Sequence, residues 1–194
     1  MEKRQITELV CILDKSGSMY GKEEDTIGSY NRMLAEQKEK EGEAFITTAL
    51  FSDTCRILGS HVPLEQAQEL SAKEYFTEGN TALFDAVGQV FTEVGRRLDR
   101  EGEDMEQKVL AFIITDGLEN ASTEYSGDHI RRLIGEKQKK GWEILFFGTE
   151  IEILELARRS GIKRENTRQY TAAPGGLQAV YQMAGQRFTK LREQ

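Results

Sequence analysis

The sequence predicts an α/β fold: a doubly wound, mostly parallel sheet with helices on both faces. Two observations predict it. Short apolar runs such as Leu9-Val10-Cys11-Ile12-Leu13 and Val109 to Thr115 lack the alternation of a half-exposed strand, so they suit strands buried on both faces. Between such runs lie segments with apolar residues at helical spacing. Repeated strand–helix alternation of this kind implies right-handed crossovers between parallel strands. A length of 194 residues suits a single domain over residues 1–194, with no room for a second of equal size.

The first run, Ile6 to Leu13, ends abruptly at Asp14-Lys15-Ser16-Gly17-Ser18. Ile27, Tyr30, Met33 and Leu34 then recur at helical spacing, and the charge run from Gln37 to Glu43 reads as the solvated end of that helix, stopped at Gly42. Ala44 to Phe51 and Cys55 to His61 are strands joined by the short polar link Ser52-Asp53-Thr54, which suggests a hairpin and places an antiparallel third strand at the sheet edge. An irregular stretch from Val62 to Asn80 follows. Thr81 then opens a helix with Leu83, Val87, Val90, Phe91, Val94 and Leu98 on one face.

Val109 to Thr115 is the most apolar strand and hence central; it too ends abruptly, at Asp116-Gly117. Ile130, Leu133 and Ile134 mark a helix closed by Gly141, and Trp142 to Phe147 a strand ended by Gly148. Ile153 to Arg159 forms a short helix terminated by Gly161, Thr167 to Tyr170 a sixth strand, and Pro174-Gly175-Gly176 introduces a last helix packed through Leu177, Val180, Tyr181, Ala184, Phe188 and Leu191. Gly185 weakens this last helix by about 1 kcal/mol relative to alanine, and no later strand restrains it. Tyr30, Phe91, Trp142, Phe146 and Phe188 fall on apolar faces and read as core.

Composition narrows the function. Hydrophobic residues at 38% and charged residues at 30% describe a globular chain, and a net charge of −7 with no basic stripe argues against a nucleic-acid partner. No run approaches the roughly 18 apolar residues of a membrane span, and the polar start from Met1 to Gln5 contains no signal-peptide core. Cys11 and Cys55, the only cysteines, have no zinc spacing and read as reduced thiols, so the expected location is cytoplasmic. No Gly-x-Gly-x-x-Gly follows a strand, and no Walker-type lysine or Gly-x-Ser-x-Gly elbow occurs.

Three polar clusters interrupt the pattern at comparable places: Asp14-Lys15-Ser16-Gly17-Ser18, Gly79-Asn80-Thr81 and Thr115-Asp116-Gly117. In a doubly wound sheet, ligands bind beyond the carboxyl ends of strands where the strand order reverses. If the strand from Val109 lies beside the strand from Ile6, Asp14 and Asp116 meet at that crevice. Residues two apart in an extended loop point the same way, so Asp14, Ser16 and Ser18 can aim three oxygens at one point, to which Thr81 adds a hydroxyl and Asp116 a carboxylate. All five are hard oxygen donors, suited to Mg²⁺ or Mn²⁺ rather than zinc or copper. Serines that merely cap a helix would account for the first cluster but not for the other two.

Asp14-x-Ser16-x-Ser18, Thr81 in a Gly-x-Thr setting and Thr115-Asp116-Gly117 resemble the metal-ion-dependent adhesion site of von Willebrand factor A domains. The resemblance spans essentially the whole chain; Asn80, where the family commonly has a second glycine, is a minor departure. It implies a Rossmann-like sheet of order 3-2-1-4-5-6 with the ion at its top, in a stand-alone intracellular domain of bacterial type. It also implies Ser16 and Ser18 as direct metal ligands, Thr81 as a switchable one, and Asp14 and Asp116 as mostly water-mediated. In the family, movement of the metal loops shifts the C-terminal helix, here Gly176 to Arg192. A shell built mainly of neutral hydroxyls leaves the cation underneutralised, so an Asp or Glu from a protein partner can complete it.

The leading expectation is therefore a non-enzymatic, metal-dependent protein-binding module. The alternative is a metal-dependent hydrolase acting on a phosphoryl or carboxyl substrate, which would need a base or nucleophile beside the ion. His129 could lie on the same face as the metal but reads as a surface residue, while His61 falls on the edge strand. A purely structural ion is a third reading. Glu119-Asn120-Ala121-Ser122 reads as an exposed loop at the rim.

Overall fold

Alternate side chains of the central strands feed two separate cores, which is why those strands carry no polar face. The computed structural model describes residues 4–101 and 105–194; the polar start from Met1 to Lys3 lies outside them. Six strands, β1 (Arg4–Asp14), β2 (Phe45–Phe51), β3 (Cys55–Pro63), β4 (Met105–Ile114), β5 (Glu143–Gly148) and β6 (Thr167–Gln169), form one sheet of order β3-β2-β1-β4-β5-β6. All neighbours pair in parallel except β2 with β3, the antiparallel hairpin expected at the edge. Val10 and Ile12 of β1 with Ala111 and Ile113 of β4 face one core, under helices α2 (Leu83–Glu101), α3 (Gly127–Lys139) and α4 (Ile151–Arg159). Leu9, Cys11 and Leu13 with Leu110, Phe112 and Ile114 face the other, under α1 (Glu23–Lys38) and α5 (Gly176–Arg192). Each large apolar side chain so buried contributes about 1.5–3 kcal/mol. Tyr30, Phe91, Trp142, Phe146 and Phe188 are all core, and both cysteines are free, Cys11 buried and Cys55 half-buried.

Several boundaries differ from the sequence expectation, each for a tertiary reason. α1 stops at Lys38, short of Gly42, and Gln37 is not solvated but buried. Its side-chain amide donates to the Gly185 carbonyl at 2.9 Å and to the Thr189 hydroxyl at 3.0 Å of α5. Arg192 then donates to the carbonyls of Gln37, Lys40, Glu41 and Gly42, meeting orphan acceptors at the end of α1. Gly185 is accordingly more than a weak point in α5: a Cβ there would lie 3.1 Å from Met33 Cγ, so its missing side chain lets α1 and α5 close together. The terminal helix is pinned along one side.

α2 begins at Leu83 rather than Thr81. The amides of Phe84 and Asp85 are met by Glu119 Oε2 at 2.9 Å and Ser122 Oγ at 3.0 Å. In return, the Asp85 carboxylate accepts the amides of Thr123, Glu124 and Tyr125 at 2.8, 3.0 and 2.8 Å. This reciprocal cap is a capping box closed across the fold rather than along the chain. The stretch from Glu119 to Ser122, expected as an exposed loop, is exposed at Asn120 but half-buried at Glu119, Ala121 and Ser122, where it supports the helix start.

At the amino end of the sheet Glu8 is fully buried on β1. Its carboxylate pairs with Arg97 of α2, accepts the Thr47 hydroxyl at 2.5 Å and lies 3.2 Å from His61 Nδ1. Burial pushes the Glu8 carboxyl up, but the His61 contact, the Arg97 charge and the Thr47 hydrogen bond outweigh it and hold the group below its ordinary value. His61 adopts φ 53°, a left-handed conformation, where β3 bulges against β2, and its ring stacks on Phe45 at 3.8 Å.

Candidate metal site

The order of strands reverses between β1 and β4, so their carboxyl ends open a crevice. Asp14 is the last residue of β1, in register with Phe51, and the Lys15 amide donates to the Phe51 carbonyl at 2.8 Å. The chain then turns, and the Gly17 amide donates to the Gly79 carbonyl at 3.0 Å, joining the first polar cluster to the second. Asn120 fixes Thr81 in two places: its Oδ1 accepts the Thr81 amide at 2.9 Å, and its amide donates to the Thr81 carbonyl at 3.1 Å.

These restraints gather all five residues singled out in the sequence. Ser16 Oγ lies 2.9 Å from Ser18 Oγ, and the Thr81 hydroxyl donates to Ser16 Oγ at 2.9 Å. Asp14 Oδ1 accepts the Ser16 amide at 2.7 Å, while Oδ2 accepts the Thr115 hydroxyl at 2.6 Å and the Asp116 amide at 3.3 Å. Tyr75 donates to the Asp14 carbonyl at 2.6 Å. Asp116 accepts the Thr149 hydroxyl on one oxygen and pairs with the Lys22 ammonium on the other. Lys22 also reaches the Ser18 carbonyl at 3.2 Å.

The residues fit a hard cation. The donors on offer are the three hydroxyls, the Asp14 carboxylate beside them and the Asp116 carboxylate, whose residue joins the group through its amide; all are hard oxygens, and since among the described residues no three His, Cys, Asp or Glu side chains gather, the hydroxyls would supply most of the shell. Gly117 leaves the cradle open: a Cβ there would overlap the Thr81 hydroxyl and lie 2.8 Å from Ser18 Oγ. Burial pushes the Asp14 carboxyl above the usual carboxylate range, against the hydrogen bonds from Thr115, Ser16 and Gly117 that lower it. A carboxylate so desolvated gains from a nearby positive charge. The Lys22 ammonium on Asp116 stands where such a charge is wanted. Replacing Lys22 by alanine is therefore expected to raise Mg²⁺ affinity by about tenfold, since roughly 1.4 kcal/mol of competition is removed. Titration calorimetry of the two proteins checks this, and equal affinities would show that Lys22 does not compete.

Sequence reasoning missed Lys22, Tyr75, Asn120 and Thr149. Thr115 was in view as part of its motif, yet its hydroxyl bond to Asp14 spans 101 residues and leaves no local pattern. His129 amide-bonds to the Ser126 cap at 3.3 Å and packs its ring edge-on to Tyr125, with no contact to the hydroxyl cluster.

No protein-family model matches the chain, and no curated protein matches it in sequence. Solved structures do match it. A von Willebrand factor type A structure from Catenulispora acidiphila is similar at a TM-score of 0.63 and 16% identity, over 95% of this chain and 43% of that one. The PilB minor pilin from Streptococcus sanguinis aligns at a TM-score of 0.66 and 12% identity, over 98% and 63%. Proximal thread matrix protein 1 from the mussel byssus aligns at a TM-score of 0.63 and 12% identity, over 97% and 47%. This chain thus spans about half the length of such structures, between 43% and 63%. At these identities the likeness shows the fold alone, and that fold is von Willebrand factor A-like. Among the described residues no helix is long and apolar enough to cross a membrane.

Proposed function

We propose that this von Willebrand factor A-like chain is a protein-binding module that works through one Mg²⁺ or Mn²⁺ ion, as a single domain. The observation that carries the reading is the hydroxyl cluster of Ser16, Ser18 and Thr81, held between Asp14 and Asp116 at the topological switch point. Those five side chains would hold the ion. Bound there, the ion supplies a Lewis-acidic position that an acidic side chain of a partner can fill. The chain's own groups set the rest. Asn120 and the Glu119 cap fix Thr81, and Thr115 and Tyr75 fix Asp14. Thr149 orients Asp116, so few donors need reorganise when a cation arrives. The free thiols of Cys11 and Cys55 suit an intracellular setting, which belongs to the same proposal. Non-enzymatic action belongs to the same proposal.

Passing a lysate of the native host over the immobilised chain, in Mg²⁺ and again in chelator, tests the reading. Proteins held only in Mg²⁺, and lost by a Ser16→Ala, Ser18→Ala double variant whose circular dichroism is unchanged, are the expected result. An identical retained set in Mg²⁺, in chelator and on the variant would overturn it.

A further inference from the structure

Lys22 stands at the N-cap of α1, where serine, threonine, aspartate or asparagine is the usual choice. Its side chain accepts no helix amide, and its charge opposes the positive end of the helix dipole. The backbone nevertheless fixes it there. Met19, fully buried, anchors the preceding turn, Gly21 makes the bend at φ 80°, and the Lys22 amide donates to the Met19 carbonyl at 3.0 Å. The side chain is only 18% exposed, and its ammonium ends on Asp116 and on the Ser18 carbonyl. A residue that disfavours the helix start and gains a contact only in the candidate metal site is placed for that site.

Its role follows from counting charge. Asp14 and Asp116 are two carboxylates and Lys22 is one ammonium, so the cluster carries one net negative charge. A divalent cation turns this to one net positive charge, and a single carboxylate then brings it to zero. Without Lys22 the cluster starts two negative, reaches zero with the cation, and turns negative when the carboxylate arrives. Other charged groups nearby have partners of their own. Lys15 pairs with Glu78, Glu23 accepts the Thr77 hydroxyl at 2.6 Å, Asp53 accepts the Asn80 side-chain amide at 2.9 Å, and Glu119 accepts the Phe84 and Ser122 amides. They stay the same whichever residue occupies position 22, so they do not alter the sign of its effect.

We infer that Lys22 is a recognition residue of the module, which keeps the loaded site one charge positive and so selects a single carboxylate of the partner. Displaced from Asp116 when a cation arrives, the ammonium remains tethered beside the site on a flexible stem, as a donor to that carboxylate. The inference rests on the metal-dependent reading above and names the side chain that makes the loaded site prefer an acid. It also goes beyond competition: the group that opposes the cation favours the cation's ligand. One substitution should therefore move the two affinities in opposite directions.

The full chain carrying Lys22→Arg, Lys22→Ala or Lys22→Glu, with circular dichroism unchanged, tests this against the wild type. Calorimetry reads Mg²⁺ affinity. Paramagnetic broadening of ¹³C-labelled acetate at saturating Mn²⁺ reads carboxylate affinity, with acetamide as the neutral control. From arginine through alanine to glutamate, metal affinity should rise about tenfold per charge removed while acetate affinity falls about fivefold or more. Lys22→Arg should match the wild type in both. If Lys22→Glu fails to fold, the arginine and alanine variants carry the comparison. Acetate affinity that stays level or rises while metal affinity rises would overturn the inference and leave Lys22 a competitor alone. Metal affinity unmoved by the charge at position 22 would overturn it too, as would a metal-loaded wild type that takes up acetate no better than acetamide. Absence of Mg²⁺ and Mn²⁺ binding in the wild type and every variant would instead remove the metal reading itself.

Discussion

Asp116→Ala is expected to weaken Mg²⁺ binding by about a hundredfold, roughly 2.8 kcal/mol. Asp116 follows β4, and its side chain, 8% exposed, pairs with a Lys22 side chain 18% exposed, so removing the carboxylate also leaves a largely buried ammonium and the Thr149 hydroxyl without their partner. Asp14→Ala should weaken the metal as much but behave differently in the apo protein. The abrupt end of each apolar run puts both aspartates beyond their strands, yet Asp14 is itself the last residue of β1. It is fully buried and satisfies the Ser16 amide, the Thr115 hydroxyl and the Asp116 amide. Deleting it strands three donors, each worth about 1–3 kcal/mol when left unpaired, partly offset because the desolvated anion is gone too. A net loss of about 2–3 kcal/mol is expected for Asp14→Ala and a smaller one for Asp116→Ala, whose Lys22 partner sits on a long stem that can extend to water. Titration calorimetry and urea denaturation in chelator separate the two effects. Unchanged metal affinity in both variants would remove the site.

Arg97→Ala should be strongly destabilising, by about 3 kcal/mol at neutral pH, because it leaves the buried Glu8 carboxylate without its full positive charge. The pH dependence has a definite sign. Glu8 is held below its ordinary value of 4.5, so the folded protein binds fewer protons than the unfolded chain between that value and the folded one. Stability from this cluster is complete above about pH 4.5 and is lost as pH falls through the folded value. The gap between wild type and Arg97→Ala should therefore close on acidification. Denaturation midpoints from pH 7 to pH 3 measure it, and a Glu8→Gln, Arg97→Ala pair should recover part of the loss. A gap under about 1 kcal/mol at pH 7 would mean that Thr47 and His61 suffice.

What the sequence determined by itself was the architecture and the identity of the five clustered oxygens. Short, β-branched apolar runs suit strands covered on both faces, and Asp14-x-Ser16-x-Ser18 and Asp116-Gly117 break those runs where strands end, so local pattern pointed to both. The strand order came only with the family resemblance, since pairing of β1 with β4 joins residues about a hundred positions apart and leaves no periodic trace. Tertiary structure alone decided the supports. Gln37 looked solvated because its neighbours are charged, yet the close approach of α5 at Gly185 buries it. Glu119 and Asn120 read as loop because such supports are normally sought within a few residues along the chain, and here the Phe84 amide that Glu119 caps lies 35 residues earlier. Lys22 and Arg97 carry the same sequence signal as any surface cation. Only the fold sets each beside a buried carboxylate, Asp116 for Lys22 and Glu8 for Arg97.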